Sequence, residues 1–405
     1  MSSLKHVLDG YKVLDFTQYV AGPTATLMMA EMGAEIIKVE NAPNGDPSRR
    51  LPMLIDGRSG YFVQHNRGKQ SLCLDAKTAE GKAVLNELVK KVDVMVENFA
   101  PGVITRLGFG YKAVSALNPR IVMCSISSLG QTGPLSKQTG YDWSGAALGG
   151  VAHMIGEADG PPTIPMVALG DVSTGVHAMG AIACALLGRE RTGKGQHLDI
   201  SLLDSYFHYH EAGVQMASLS KGEFKPKRSG RHAYYVAPSG LFKAKDRYLA
   251  LFCIEPHQWS ALCDLMGKPE LATDPRFKDA ATRQKNLPEV LKLVEGWLAS
   301  MPSDDVTMEK LRERRIPHAP VLSVDEAMKH PHLRERGTIR TVRDPILGEM
   351  ELPGFALRFS DHQPLELNAP LLGEHNEAIL TRMLGYTPGQ VRELERKGTL
   401  RSGPR

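Results

Sequence analysis

Paired cysteines are missing from this chain. Its five cysteines, Cys73, Cys124, Cys184, Cys253 and Cys263, are odd in number and form no close pair. That pattern suits a reducing cytoplasm better than a disulfide framework. Long apolar runs are missing as well: the best candidate, 176–187, is too short for a membrane span, and the first eight residues hold no apolar segment of signal-peptide length. A cytoplasmic protein without a membrane partner is the expectation. Charge of one sign is scarce, with a formal net charge of only +4 and no basic block, which leaves a nucleic-acid role unsupported. No internal repeat or low-complexity tract interrupts the chain. A Gly-x-Gly-x-x-Gly fingerprint is also lacking, which counts against a nicotinamide-dependent dehydrogenase. Metal-ligand spacing is lacking too: His208 and His210 at i and i+2 stand about 200° apart on a helix, so no metal site is expected.

What is present is an ordinary globular composition, 42% hydrophobic and 23% charged, spread over 405 residues, long enough for two domains. Short apolar segments at 12–16, 35–40, 71–75, 93–97 and 121–125 read as buried strands. Helical patterns at 24–32 and 78–91 alternate with them, and Val84, Leu85, Leu88, Val89 and Val92 share one face of the second. About 18 residues separate the first two strands, enough for a right-handed parallel crossover. The alternation predicts an open, largely parallel α/β sheet. The loop 41–60, rich in Pro, Gly and Arg, has a length that often marks function. Residues 197–203 read as a further strand. Farther on, 240–252 reads as a hairpin turning at Lys245 and Asp246, followed by helices at 257–266, 288–299 and from Ser303 towards Arg314; together they predict a smaller α+β domain.

One carboxylate stands out. Asp171 follows an apolar segment, sits between Gly170 and Gly175, and precedes a helical run at 176–187. Glycines on both sides let backbone approach a ligand, and a helix start offers unpaired N–H groups and a positive dipole end. The competing local reading is a helix N-cap and nothing more.

Several separated motifs, all in one order, resemble the family III CoA-transferases, the group of formyl-CoA:oxalate and carnitine CoA-transferases. They are Val13-Leu-Asp-Phe16 with Ala21-Gly-Pro23, Gly33-Ala-Glu-Ile-Ile-Lys-Val-Glu40, Asn66-Arg-Gly-Lys69, Asp93-Val-Met-Val-Glu-Asn-Phe-Ala-Pro-Gly102, Leu107-Gly-Phe109, Gly140-Tyr-Asp142, Gly170-Asp171, Gly193-Lys-Gly-Gln196, Ile316-Pro-His-Ala-Pro-Val321 and Pro370-Leu-Leu-Gly-Glu-His375. The resemblance implies a Rossmann-like large domain at 1–205, a linker or mobile loop at 206–232, a small domain at 233–325 and a return to the large domain at 326–405. It also implies two chains interlocked as a ring-like homodimer, with a heteromer of related chains as the other possibility.

By the same resemblance Asp171 is the nucleophile and a CoA thioester is a substrate, with no permanently bound cofactor. Gln18, Val20, Ala21, Lys69, Asn98, Phe99, Arg106 and Lys137 fall on positions that hold CoA, with Lys38 and Arg67 as further cations. The chemistry suits a carboxylate: attack on an acyl-CoA gives a mixed anhydride and then an aspartyl-CoA thioester, which the acceptor acid takes over. Amides near Gly22 or in 145–150 are the candidate oxyanion donors.

The same superfamily includes α-methylacyl-CoA racemases, whose Gly-His-Asp motif supplies a histidine base. Here Gly140-Tyr141-Asp142 puts a tyrosine, with a pKa near ~10, in that place, which favours the transferase. His153 and His177 keep the racemase as the alternative. The glycine run of oxalate enzymes is replaced by Ser229-Gly-Arg-His-Ala-Tyr-Tyr235, which argues for an acid larger than oxalate. Tyr141, Asp142, His208 and Arg231 are the candidate substrate contacts, pointing to a dicarboxylate or an aryl-substituted succinate with succinyl-CoA as donor.

Overall fold

The computed structural model describes residues 5–403. They form two compact units. The larger gathers residues up to Gly149, Pro165–Tyr209 and Pro331 onward, and the smaller gathers Gly150–Ile164 and His210–His330. These bounds differ from the expected ones at 150–164, at the stretch from 206, and at 326–330, which stays with the smaller unit. Segment 150–164 clusters with the smaller unit because Gly230 donates its N–H to the Gly156 carbonyl (3.0 Å) and Arg228 Nε donates to the Gly160 carbonyl (2.8 Å). The stretch read as a linker from 206 is divided, with residues from His210 onward belonging to the smaller unit.

The larger unit is built on six parallel strands: β1 (Lys12–Asp15), β2 (Glu35–Asn41), β3 (Lys69–Leu74), β4 (Val94–Glu97), β5 (Val122–Ser127) and β6 (His197–Ser201). Their order across the sheet is β3-β2-β1-β4-β5-β6, every neighbouring pair parallel. This is the doubly wound order, in which the chain reverses direction across the sheet between β1 and β4. Successive residues of each strand face opposite layers, so Leu14, Ile37 and Met95 enter one core while Val13, Ile36 and Val94 enter the other.

The first of these cores is closed by α3 (Ala79–Val89) and by the C-terminal residues Ile379, Leu380, Val391 and Leu400. Asn376 locks that return in place by accepting the Cys73 N–H at 2.9 Å. The second is closed by α1 (Ala21–Glu31) and by α5 (Leu169–Thr192), which pack on each other and on the sheet. Between these helices in the chain lie α2 (Gly60–Asn66) and α4 (Asp142–Leu148), and α6 (Leu202–Phe207) follows β6.

The helix expected at 176–187 is longer at both ends and starts at Leu169. Gly170, Ser173, Thr174 and Gly175 are weak helix formers, and packing overrides their propensity. At 24 residues and a mean hydropathy of 1.3, α5 is long and apolar enough to cross a membrane. One face, however, is buried at Thr174 and Gly175 and sends Ala178, Ile182, Ala185 and Leu186 into the second core. The smaller unit pairs Ser239–Lys243, Tyr248–Phe252 and His318–Pro320 in an antiparallel sheet, with Trp259, Phe277, Val290, Val294 and Leu298 behind it.

Candidate active site

A cleft of about 270 Å³ opens at the C-terminal edge of the sheet, where the strand order reverses. The segments leaving β1, β4, β5 and β6 all reach it: Gln18 to Ala21, Asn98 to Pro101, Ser127 with Ser128, and Leu202. Gln138 to Tyr141 and Asp171 complete the wall. In doubly wound sheets this edge is the usual ligand crevice, because two loops diverge there and leave space between them. The two loops are clasped to each other: Gln18 donates its N–H to Asn98 Oδ1 (2.7 Å), and Asn98 Nδ2 donates to the Gln18 carbonyl (2.8 Å).

Asp171 occupies the third position of α5 and is not its N-cap, which is Ala168. It lines the cleft, and its backbone N–H donates to Asp142 Oδ2 at 3.3 Å. Asp142 is in turn held by Tyr206, whose hydroxyl donates to Asp142 Oδ1 and accepts the Gly170 N–H (3.1 Å). Among the described residues no hydrogen bond reaches the Asp171 carboxylate. Burial first, and the Asp142 charge second, push its pKa up to about 7.

The flanking glycines serve packing. A Cβ on Gly170 would lie 2.2 Å from the Tyr206 ring and 2.3 Å from Asp142 Oδ1. A Cβ on Gly175 would lie 2.6 Å from the Ala21 carbonyl oxygen and from Thr24 of α1. These close approaches are between parts of the protein, which corrects the expectation that the glycines make room for a ligand.

Of the predicted residues, Gln18, Val20, Ala21, Asn98, Phe99, Tyr141 and Asp171 line the one cleft. Asp142 is buried beneath it as the acceptor described above. Arg106, on the short helix Val103–Leu107 that follows Pro101, and Lys137, beside Gln138, are exposed.

Lys69 is a correction. Its ammonium is enclosed by Asp15 (3.1 Å), Asn66 Oδ1 (3.0 Å) and the Pro23 carbonyl (3.3 Å), and burial lowers its pKa to about 8. A fully buried lysine with those partners has no donor left for a phosphate. Lys38 and Arg67 are likewise buried, against Asp46 (2.8 Å) and Glu31 (3.5 Å). Parallel strands place these cations side by side with their anions, which spacing along the chain does not reveal.

His208 is exposed at the end of α6, edge-on to His177 at 5.9 Å, and neither histidine lines the cleft. Arg231 lies in the smaller unit, 3.5 Å from Glu295 and 5.1 Å from the Tyr248 ring centre. A Cβ on Gly145 would lie 3.0 Å from Leu202, a structural use of that glycine.

Two residues escape sequence reading. Tyr61 of α2 has its phenol pKa raised by burial and then by the Asp171 and Asp46 charges. It directly follows the 41–60 loop, whose length was the available signal. Tyr206 carries no signal at all, since its role depends on a contact with Asp142, 64 residues away. No group of three His, Cys, Asp or Glu side chains suited to a metal is found among the described residues.

The profile of CoA-transferase family III matches residues 8–376. Succinyl-CoA:glutarate CoA-transferase of Mus musculus is 34% identical over 97% of this chain and 90% of its own length. Formyl-CoA:oxalate CoA-transferase of Streptomyces avermitilis is 34% identical over 97% of this chain and 99% of its own. Among solved structures, a CAIB/BAIF family protein from Brucella suis superposes with a TM-score of 0.81 at 32% identity, covering 94% of this chain and all of that one. The sheet order, the cleft at its reversal point and near-complete coverage agree: this chain belongs to CoA-transferase family III.

Proposed function

We propose that the chain moves CoA from succinyl-CoA to a dicarboxylate or aryl-substituted succinate, with Asp171 as the covalent nucleophile. The observation that carries this reading is a half-buried carboxylate, unpaired among the described residues, in a cleft walled by Gln18, Val20, Ala21, Asn98 and Phe99. An Asp171 oxygen attacks the thioester carbonyl, the C–S bond breaks, and CoA leaves as thiolate. The thiolate attacks the Asp171 acyl carbon of the anhydride, releasing the donor acid as carboxylate and leaving aspartyl-CoA. The acceptor carboxylate attacks that thioester, forming a second anhydride and freeing the thiolate again. Thiolate attack on the acceptor's acyl carbon then yields the new CoA ester and regenerates Asp171.

The first turn of α1 supports the tetrahedral steps. Its Ala21 and Gly22 amides precede the first intrahelical bond, from the Thr24 N–H to the Val20 carbonyl (2.7 Å), and it opens on the cleft through Val20 and Ala21. Exposed Arg106 and Lys137 suit the CoA phosphates. Relatives named for glutarate and oxalate support an acceptor with two carboxylates. The racemase alternative loses support because no histidine lines this cleft.

A second copy of the chain is the proposed partner, and a related chain the alternative. Met166 (85% exposed), Val167 (68%), Val172, Val176 and Leu187 form an apolar strip along α5 and the residues before it, on the larger unit. An exposed strip of that kind marks an interaction surface. The unpaired state of all five cysteines agrees with a cytoplasmic setting.

The deciding experiment incubates the protein with succinyl-CoA and a panel of carboxylic acids and reads CoA esters by mass spectrometry, with hydroxylamine trapping of Asp171. Exchange with a dicarboxylate and a modified Asp171 are expected. No exchange with any acid, together with α-proton exchange in a 2-methylacyl-CoA, would establish the racemase.

A further inference from the structure

Strand β2 reads Glu-Ile-Ile-Lys-Val-Glu-Asn, and its Lys38 and Glu40 are both buried. Strands covered on both faces are normally continuous apolar runs, and enclosed ion pairs give little net stability. The charges therefore need another reason to be there. They lie at the C-terminal end of the sheet, directly behind the turn Gln18–Tyr19–Val20 that walls the cleft. Three cations, Lys38, Arg49 and Lys69, meet three anions, Asp15, Glu40 and Asp46, at distances of 2.7–3.1 Å.

The lattice grips backbone as well as side chains. Lys38 Nζ donates to the Thr17 carbonyl at 2.8 Å and forms an ion pair with Asp46 Oδ2 at 2.8 Å. Asp46 Oδ1 accepts the Tyr19 N–H (3.4 Å) and the Ser48 N–H (2.8 Å). Asp15 Oδ1 accepts the Thr17 N–H at 2.8 Å. Between these anchors Tyr19 is held at φ 63°, in the left-handed region that a residue with a Cβ avoids.

We infer that Lys38 and Asp46 are positioning residues, fixing the Gln18–Val20 wall of the cleft from behind so that substrate and Asp171 meet in register. Neither side chain lines the cleft, and they act through the Thr17 carbonyl and the Tyr19 amide. The kinetic arm of the test rests on the CoA-transfer reading above; the structural arm does not.

The test compares the full-length chain with K38M/D46L, in which an apolar pair replaces the ionic one, and with the near-isosteric D46N. Apolar replacement of a buried pair commonly preserves stability, so K38M/D46L separates stability from positioning. In both variants, amide hydrogen exchange in the peptide covering 17–20 is expected to speed up at least ~10-fold, while residues 94–97 stay protected. The kcat for CoA transfer is expected to fall ~10-fold or more, with a smaller change in KM, since displacements near 1 Å at a reacting centre cost rates of this order. Native-like exchange at 17–20 in D46N overturns the inference, as does accelerated exchange with unchanged kcat or an effect confined to KM. Should K38M/D46L not fold, D46N carries the test alone. Exchange is read without substrate, so a chain that transferred no CoA would leave that result standing, and the two failures are told apart.

Discussion

As the proposed nucleophile, Asp171 must give up its proton before attack, and burial beside Asp142 holds that proton until about pH 7. Transfer activity measured as kcat/KM is therefore expected to rise about tenfold per pH unit below 7 and to level off above it. The same shift has a cost in stability. The folded pKa lies above the unfolded 3.8, so the penalty is absent below pH 4, grows between 4 and 7, and is complete above 7. Asp171→Asn is expected to abolish transfer while raising Tm at pH 8 by roughly 2–5 °C, with little change near pH 4, as read by calorimetry at both pH values. Tyr206→Phe removes the hydroxyl that joins Gly170 to Asp142. Two buried groups then lose a partner, and a loss of about 1–3 kcal/mol in chemical denaturation is expected, with kcat reduced.

At the scale of elements, the site depends on how closely α1 and α5 approach each other. Gly175 lets the Ala21 carbonyl come within what would be 2.6 Å of a Cβ, and Ala21 is itself part of the cleft. Gly175→Ala is expected to destabilise the protein by about 1–3 kcal/mol in urea unfolding and to lower kcat, since the first turn of α1 and Asp171 are pushed apart. Gly188, on the same helix, has open space where a Cβ would stand. Gly188→Ala is expected to stabilise by about 0.5–1 kcal/mol and leave transfer unchanged. The contrast separates helix propensity from packing within one element. It also explains why the sequence reading began this helix too late: its first turns are stabilised by contacts with α1, Tyr206 and Asp142, which propensity does not register.

For the whole molecule, the apolar strip on α5 and its preceding segment predicts self-association. Light scattering at micromolar concentration is expected to give twice the chain mass, and Val176→Glu, at an exposed point of the strip, is expected to shift the protein towards monomer. A native chain that is monomeric under these conditions would remove the dimer from the proposal.

Much of this was present in the residues themselves. The runs around Val13–Leu14, Ile36–Ile37 and Val94–Val96 are apolar on both faces, as parallel strands must be, and so the α/β class and most strand positions were legible. Asp171 stood out through its glycine neighbours and its place before a helical run, but those local features fitted an N-cap equally, and its proposed role came from the resemblance. The partners of buried charges were not legible. Lys69 looked available to a phosphate until β3 and β1 brought it to Asp15, and Lys38 looked like a further cation for CoA until the Asp46 loop folded over it. Local pattern fixes which segments become strands and helices, because periodicity and propensity act over a few residues. Which charges meet is decided by sheet order, and only the assembled β3-β2-β1-β4 edge turns scattered lysines and aspartates into a support behind the cleft.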